Sequence, residues 1–459
     1  MRGNVDGVNN DYIQGWALDE DDPSRHVVLD VFYNGELLCP VTAGFPRADL
    51  LRAGVGDGTN GFYVALPALE EPEDAQISVV VHETGEPIGG RHDLRRLPKC
   101  APSGLVARDM LALHATPLHA MQGIDFDGET LRISGIHLPP GGDPFALTLH
   151  STPGTPVTFT YPLHAPGAVD WYWYWPNVTW SAFQIEIDVS ACTDAGPFYD
   201  LWFESDLVGP EFSTLGRNHL RIPKDMNAYQ NFPGGDQLTR VQRFDNNRRV
   251  AMAGYNDHRQ VIDIAQHYGV DPTGINVLDW GCGHGRVVRH FGQRPGAGET
   301  WAVDIDAENV AWLERNVPSV RAATVPLHPP TGLPDDHFDL VYGISVMTHL
   351  TEDVQEAWLR ELRRITRPGG LVLLTFAGRT SAAFASRFMN PGWLDLWEKS
   401  GFDDTVDSTD LNGKIGDDEY YRNTKQTPEY TREAWGRHFE VLDIHECMFG
   451  YQDVAVLRA

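Results

Sequence analysis

Through its first half the chain sets apolar residues at alternate positions, in short runs divided by Gly, Pro and Asp. Val27–Tyr33 (VVLDVFY), Gly61–Leu66 (GFYVAL) and Gln76–His82 (QISVVVH) are of this kind. So are Leu131–Ile136, Ala146–His150, Val157–Tyr161, Phe183–Val189 and Tyr199–Phe203. A period of two over such lengths predicts strands with one face toward a core. From about residue 223 the period changes. His258–Tyr268 and Glu352–Thr366 carry apolar residues at helical spacing, between compact apolar runs at Ile275–Leu278, Trp301–Val303, Phe338–Tyr342 and Leu371–Phe376. Strand–helix alternation predicts a mostly parallel sheet covered by helices. The pattern divides the chain into a β-sandwich module at 1–98, a second at 109–222, and an α/β domain at 223–459, with Arg95–Arg108 as linker. The 459 residues agree, since about 150 per domain predicts about three.

One run resists a simple reading. In Asp170–Trp180 (DWYWYWPNVTW), a strand would put Trp171, Trp173 and Trp175 on one face and Tyr172 and Tyr174 on the other. Two aromatic faces cannot both be wet, so the expectation is a core strand plus a domain interface rather than a sugar-stacking platform.

Charge narrows the partners. Thirty-six Lys+Arg against 64 Asp+Glu leave a formal net of −28, which repels phosphate backbones and argues against nucleic acid as partner. No run approaches the length of a membrane span, and the start MRGNVDGVNNDYIQ has no apolar signal region, so the expected location is cytoplasmic. Cys39, Cys100, Cys192, Cys282 and Cys447 are odd in number and far apart, which favours reduced thiols over a disulfide framework or a zinc site. No metal is expected.

The chemistry concentrates in Asn276–Phe291 (NVLDWGCGHGRVVRHF). An apolar strand ends at Asp279, a turn with Gly281, Gly283 and Gly285 follows, and Arg286 is expected to start a helix. Glycines there let a ligand approach the backbone. The spacing is G-x-G-x-G, and a carboxylate before the first glycine would repel a pyrophosphate but hold an amino group. Asp304 ends the next strand, nineteen positions past Gly285, where a carboxylate can accept ribose hydroxyls. Asp306 suits the cap of a helix Ala307–Asn316. Asp335-Asp336-His337 precedes a strand and so lies at the edge away from the ligand.

VLDWGCGHGR, WAVDID, FDLVYGISVMTHL and LRRITRPGGLVLLTF, in that order, resemble the successive motifs of class I S-adenosylmethionine-dependent methyltransferases, over roughly 245–459. The resemblance implies a Rossmann-like α/β sheet of seven strands with the last antiparallel, Phe439–Ile444 and Gln452–Leu457 being the final two. It implies S-adenosylmethionine as cofactor, with its methionine part beside Asp279, Gly281, Gly283 and Gly285, its ribose at Asp304, its adenine flanked by Val325, Pro326 and Leu327, and Ile305 also at the cofactor. Without an acid after strand three, the adenine contact falls to backbone or to His328. Gly343, Ile344 and Ser345 would lie under the sulfonium. Ser345 and His349 are the catalytic candidates, His349 as base toward an acceptor hydroxyl, while His284 is expected to line the cofactor pocket.

Strand five ends near Phe376 and the next helix opens at Thr427-Pro428, so 377–426 is an insertion far longer than an ordinary connection. It leaves the ligand side of the sheet and is expected to fold over the site and bind the acceptor. Tyr420, Tyr421 and Arg422 within it, with Tyr451 and Gln452 at the start of strand seven, are the acceptor candidates. The N-terminal stretches GWALDEDDPSRHVVLDVFYNGELL and RADLLRAGVGDGTNGFYVALP resemble a small β-sandwich module found in bacterial proteins beside glycosyltransferases and methyltransferases. Together these resemblances imply O-methylation of a sugar in a bacterial glycan or a glycosylated small molecule. Three rivals stand beside this: a natural-product or amine methyltransferase whose β modules form a homo-oligomer, a glycan-binding scaffold with a degenerate enzyme domain, and a dinucleotide oxidoreductase.

Overall fold

A computed structural model describes the chain except for residues 9–11, 67–75, 90–91, 94–111, 140–146, 206–218, 226–230, 243–245, 293–295, 297, 386–392, 412, 414 and 418–419. The expected linker Arg95–Arg108 lies outside the described residues, apart from the fold that follows.

The first β-rich region comprises β1 (Arg2–Val8), β2 (Tyr12–Leu18), β3 (Val27–Tyr33), β4 (Glu36–Ala43), β5 (Gly61–Ala65), β6 (Gln76–Val81) and β7 (His92–Asp93). They form antiparallel sheets ordered β1-β2-β5 and β4-β3-β6-β7. Alternation decides which side chains turn inward: Val27, Leu29 and Val31 of β3 are buried and the residues between them are not. The second region comprises β8 (Leu118–Phe126), β9 (Thr130–Leu138), β10 (Leu147–Ser151), β11 (Val157–Leu163), β12 (Ala182–Asp188), β13 (Phe198–Ser205) and β14 (His219–Pro223). Its sheets are ordered β10-β13-β14 and β11-β12-β9-β8, and Ile133, Ile185, Leu201 and Leu220 from the two share one apolar cluster.

The aromatic run is not a strand. Pro166–Asp170 and Val178–Trp180 are short 3-10 turns. Tyr172 N–H donates to Ala168 O and Trp175 N–H to Tyr172 O. Coiled this way, four consecutive residues, Tyr172 to Trp175, are all buried, which a strand with one buried face would not allow. They join the core of the first region, along with Ala382, Ala383, Trp397 and Cys447 from the C-terminal half, and Trp173 Nε1 donates to Ala383 O at 2.9 Å. The expected role as core and interface stands; its expected geometry does not.

The C-terminal half is built on β15 (Val277–Trp280), β16 (Thr300–Asp304), β17 (Arg321–Thr324), β18 (Phe338–Gly343), β19 (Thr366–Phe376), β20 (Phe402–Asp403), β21 (Lys425–Gln426), β22 (Glu440–Phe449) and β23 (Gln452–Arg458). β20 and β21 pair with each other; the rest form one sheet, β17-β16-β15-β18-β19-β23-β22. β15, β16, β17, β18 and β19 run parallel, while β23 is antiparallel to both neighbours. The helices that bear on the site are α1 (Asn247–His267), α2 (Val288–Gly292), α3 (Ala307–Asn316), α4 (Glu352–Ile365), α5 (Arg379–Ala385) and α6 (Pro428–Trp435). Caps fall where the sequence puts cap residues: the Asp306 carboxylate accepts from Glu308 and Asn309 N–H, and the Thr427 hydroxyl accepts from Tyr430 N–H with Pro428 at the first helical position. Among the described residues no helix is long and apolar enough to cross a membrane.

Candidate active site

The parallel strands β15, β16 and β18 end at one edge, and there the structure opens a cavity of about 630 Å³. The glycine turn forms its floor. Gly281, Gly283 and Gly285 all have positive φ, at 76°, 52° and 76°, which side chains rarely adopt. A Cβ on Gly281 would also stand 2.3 Å from Val346 Cγ2, and one on Gly285 2.4 Å from Leu313 Cδ1. Gly281 and Gly283 line the cavity, whereas Gly285 lets α3 pack close and does not. The turn continues through Arg286, so α2 begins at Val288, two residues later than expected.

Asp304 organises this floor. Its Oδ2 accepts Gly283 N–H at 2.7 Å and its Oδ1 accepts Asp306 N–H at 2.8 Å. Asp279 stands on the neighbouring strand tip, buried. Burial pushes Asp279 up to about 7, with the charge of Asp304 adding to the effect and Arg286 opposing it. It pushes Asp304 up to about 6, against the backbone N–H groups that favour the carboxylate. Beside them a slot of about 90 Å³ shares Gly281 and Asp304 with the main cavity and is bounded by Trp280, Ile305, Val325, Trp358 and Tyr420.

At the end of β18, Ser345 is held in the left-handed region, φ 63°, by a closed ring of hydrogen bonds. Ser345 N–H donates to Thr375 Oγ1 (2.6 Å), Thr375 Oγ1 to Gln452 Oε1 (2.7 Å), and Gln452 Nε2 back to Ser345 Oγ (2.9 Å). Strain of this kind at a non-glycine residue marks a position the surroundings enforce. His349 follows on a 3-10 turn. Its Nδ1 lies 2.8 Å from Arg422 O, and its ring stacks on Tyr421 at 4.0 Å and 12°. A carbonyl only accepts, so Nδ1 carries a proton in this contact.

Several expected site residues are placed elsewhere. Gly343 sits under Trp280, where a Cβ would come within 2.7 Å of the ring, and does not line the cavity. Pro326 is exposed, and Leu327 O serves as acceptor for Trp358 Nε1 (3.2 Å) and Tyr420 OH (2.6 Å). Of that trio only Val325 reaches the slot. Tyr420 is buried at the slot, and His328 packs edge-on to it at 5.4 Å. Arg422 turns away to an ion pair with Asp407. The reason is the period of two in an extended segment: Tyr421, Asn423 and Lys425 line the cavity, while Arg422 and Thr424 face the other way. His284 is fully buried against Phe232, pushed down to about 3 by burial, and does not line the cavity. Tyr451, Gln452, Ile344, Ser345 and His349 do line it, as do Ser381, Phe384, Asp410 and Leu411 of 377–426. Asp335 and His337 pair with Arg364 and Glu299, away from the cavity.

The wall facing the glycine turn was not anticipated. Arg249, Ala253, Asn256, Asp257 and Gln260 of α1, His119, Ala120 and Met121 of β8, and His219 and Leu220 of β14 complete the cavity. The α1 residues recur at helical spacing as a mostly polar stripe, while Ile262 and Ala265 face the other way into the core. That stripe was readable as a face; what it faces was not.

Comparison with known proteins agrees with this geometry. Residues 277–370 match the family model described as "Methyltransferase domain". A ubiquinone/menaquinone biosynthesis C-methyltransferase UbiE of Bordetella avium is 27% identical over 195 residues, covering 39% of this chain and 70% of the relative. Its counterpart in Cupriavidus necator is 34% identical over 123 residues, but this chain spans only 47% of it, and 25% of this chain is covered. A solved SAM-dependent methyltransferase from Methanosarcina mazei matches at 16% identity and a TM-score of 0.33, over 42% of this chain and 96% of that one.

The residues present fit S-adenosylmethionine. Neither Asp279 nor Asp304 forms an ion pair among the described residues, so their buried charge is available to a cationic ligand, and each carboxylate oxygen of Asp304 retains capacity for a hydroxyl beyond the one N–H it accepts. Asp279 and Gly281 would hold the methionine part, Asp304 the ribose, and Trp280, Ile305, Val325 and Tyr420 the adenine. Residues 277–370 of this chain carry a methyltransferase domain, and the cavity they help to build fits S-adenosylmethionine as its cofactor.

Proposed function

We propose that the protein O-methylates a sugar hydroxyl of a glycan or glycosylated small molecule. The observation that carries this reading is the set of hydrogen-bonding side chains, Gln260, His119 and His219, that α1 and the second β-rich region bring to the cavity wall beside Ala120, Met121 and Leu220. A wall of hydrogen-bonding side chains suits a hydroxyl-rich acceptor; an isoprenoid quinone would favour an apolar one. When bound, S-adenosylmethionine supplies an electrophilic methyl group. The chain's own residues then have to orient one hydroxyl and accept its proton. His349, held through Nδ1 at Arg422 O and through its ring on Tyr421, is the residue placed at the cavity to accept that proton. Ser345, locked by Thr375 and Gln452, orients the hydroxyl on the same rim. Alignment supplies most of the rate in such a reaction, and a positioned base adds about 10²–10⁴-fold.

The test is turnover of the full chain with S-adenosylmethionine and a panel of methyl glycosides, the product read by mass and NMR. The expected product is a methyl ether, and His349→Ala loses about a hundredfold or more in kcat while cofactor binding persists. Methylation at carbon, as the names of the UbiE relatives would suggest, or no transfer to any glycoside, overturns the reading.

A further inference from the structure

The second β-rich region is fastened to the catalytic domain by contacts that fix where His219 stands. Asn256 on α1 treats Arg221 of β14 as a neighbouring strand would: Arg221 N–H donates to Asn256 Oδ1 at 2.9 Å, and Asn256 Nδ2 donates to Arg221 O at 2.8 Å. The Arg221 guanidinium reaches Asp263 on the same helix at 3.3 Å. Tyr255 stacks on Phe198 of β13 with centroids 4.1 Å apart. His219 therefore enters the cavity from a strand tied to α1, and Gln260 enters it from α1 itself, one turn beyond Asn256.

Both carry an unmet hydrogen-bonding atom. Gln260 is only 9% exposed, and its Oε1 has no hydrogen-bond partner among the described residues. His219 Nδ1 is buried and equally unmatched. Burial pushes His219 down, and His119 down to about 4, so these rings are neutral near pH 7. A buried polar atom without a partner destabilises the free protein, and a ligand that supplies the partner recovers that loss. Gln260 Oε1 can only accept, so the ligand must bring an O–H or N–H donor.

We propose that Gln260 and His219 are specificity-determining residues for the acceptor, hydrogen-bonding sugar hydroxyls other than the one methylated. This rests on the sugar-acceptor reading above. The second β-rich region is then a working wall of the acceptor site, and a sugar lacking the matching hydroxyl is rejected because it leaves these atoms unpaired.

The experiment titrates methyl glycosides into the full chain saturated with S-adenosylhomocysteine, followed by saturation-transfer NMR, for wild type, Gln260→Met and His219→Phe. Gln260→Met keeps the side-chain length and removes the unpaired atom, so its melting temperature should equal or exceed that of wild type, and folding does not confound it. The expected result is glycoside binding to wild type, weakened about tenfold or more in each variant, with the affinity for S-adenosylhomocysteine unchanged. Glycoside affinity within about twofold of wild type in both variants, or an equal loss of S-adenosylhomocysteine affinity, overturns the proposal and leaves the sugar reading standing. No glycoside bound by the loaded wild type overturns both.

Discussion

The two β-rich regions have the same parts, a three-stranded and a four-stranded antiparallel sheet each, yet they stand in different relation to the active site. Described residues of β8 and β14 in the second region line the catalytic cavity, and no described residue of β1 to β7 does. The first region meets the catalytic domain through apolar burial instead: its core shares one cluster with Ala382, Ala383 and Trp397 and with the Tyr172–Trp175 coil that the second region sends into it. The second meets it through directional polar contacts, Asn256 with Arg221 and Arg221 with Asp263. Apolar burial holds two bodies together without fixing side chains to a hydrogen-bond's tolerance; a reciprocal amide clamp does fix them, and the recognition wall is on that side.

Four substitutions or conditions would break or sharpen the contrast. Trp173→Ala should cost about 3–5 kcal/mol of stability, measured by denaturant unfolding, and leave the acceptor KM of the surviving folded fraction unchanged; a selective rise in KM would mean that this shared apolar cluster also shapes the acceptor site. Asn256→Ala should cost about 1–3 kcal/mol, since it strands the Arg221 N–H and C=O, and unlike Trp173→Ala it should raise KM for the acceptor, a split visible in steady-state kinetics.

The third concerns pH. Asp279 and Asp304 are raised from 3.8 to about 7 and about 6 in the folded chain. A raised carboxyl contributes stability that is present below its unfolded pKa and lost as pH climbs through its folded one, so the free protein loses these contributions between about pH 4 and about pH 7. A bound ammonium or sulfonium favours the ionised acids. Cofactor should therefore raise the melting temperature more at about pH 8 than at about pH 5.5, with affinity falling by at most about tenfold per pH unit for each group. An equal thermal shift at both would detach the two acids from the cofactor. Smallest of all, Glu83→Gln removes the exposed Arg25 pair of the first region and should move neither melting nor turnover, because exposed pairs contribute little.

The contrast between the two regions was invisible in the sequence. Both present the same alternation, and alternation reports only that a strand has a wet and a dry face. The glycine turn, Asp279, Asp304 and the caps at Asp306 and Thr427 were legible because each depends on neighbours within a few positions: a positive φ, a strand tip, a free N–H. The aromatic run misled for a related reason. Alternation of Trp and Tyr carries no polar face to mark a period, so a strand and a 3-10 coil read alike, and only packing from three sides chose the coil. Arg422 was misassigned because its neighbours Tyr421 and Asn423 took the inward positions of the same extended segment.

By itself the sequence determined which catalytic segments are strands, the glycine turn after the first of them, and the acids at the strand tips, since short-range sterics and hydrogen bonding dictate them. The tertiary structure alone decided which side chains share the cavity. Gln260 and His219 are forty-one positions apart, and they line one wall only because α1 and β14 pair through Asn256; no local rule connects them, because the contact that does is made across the fold.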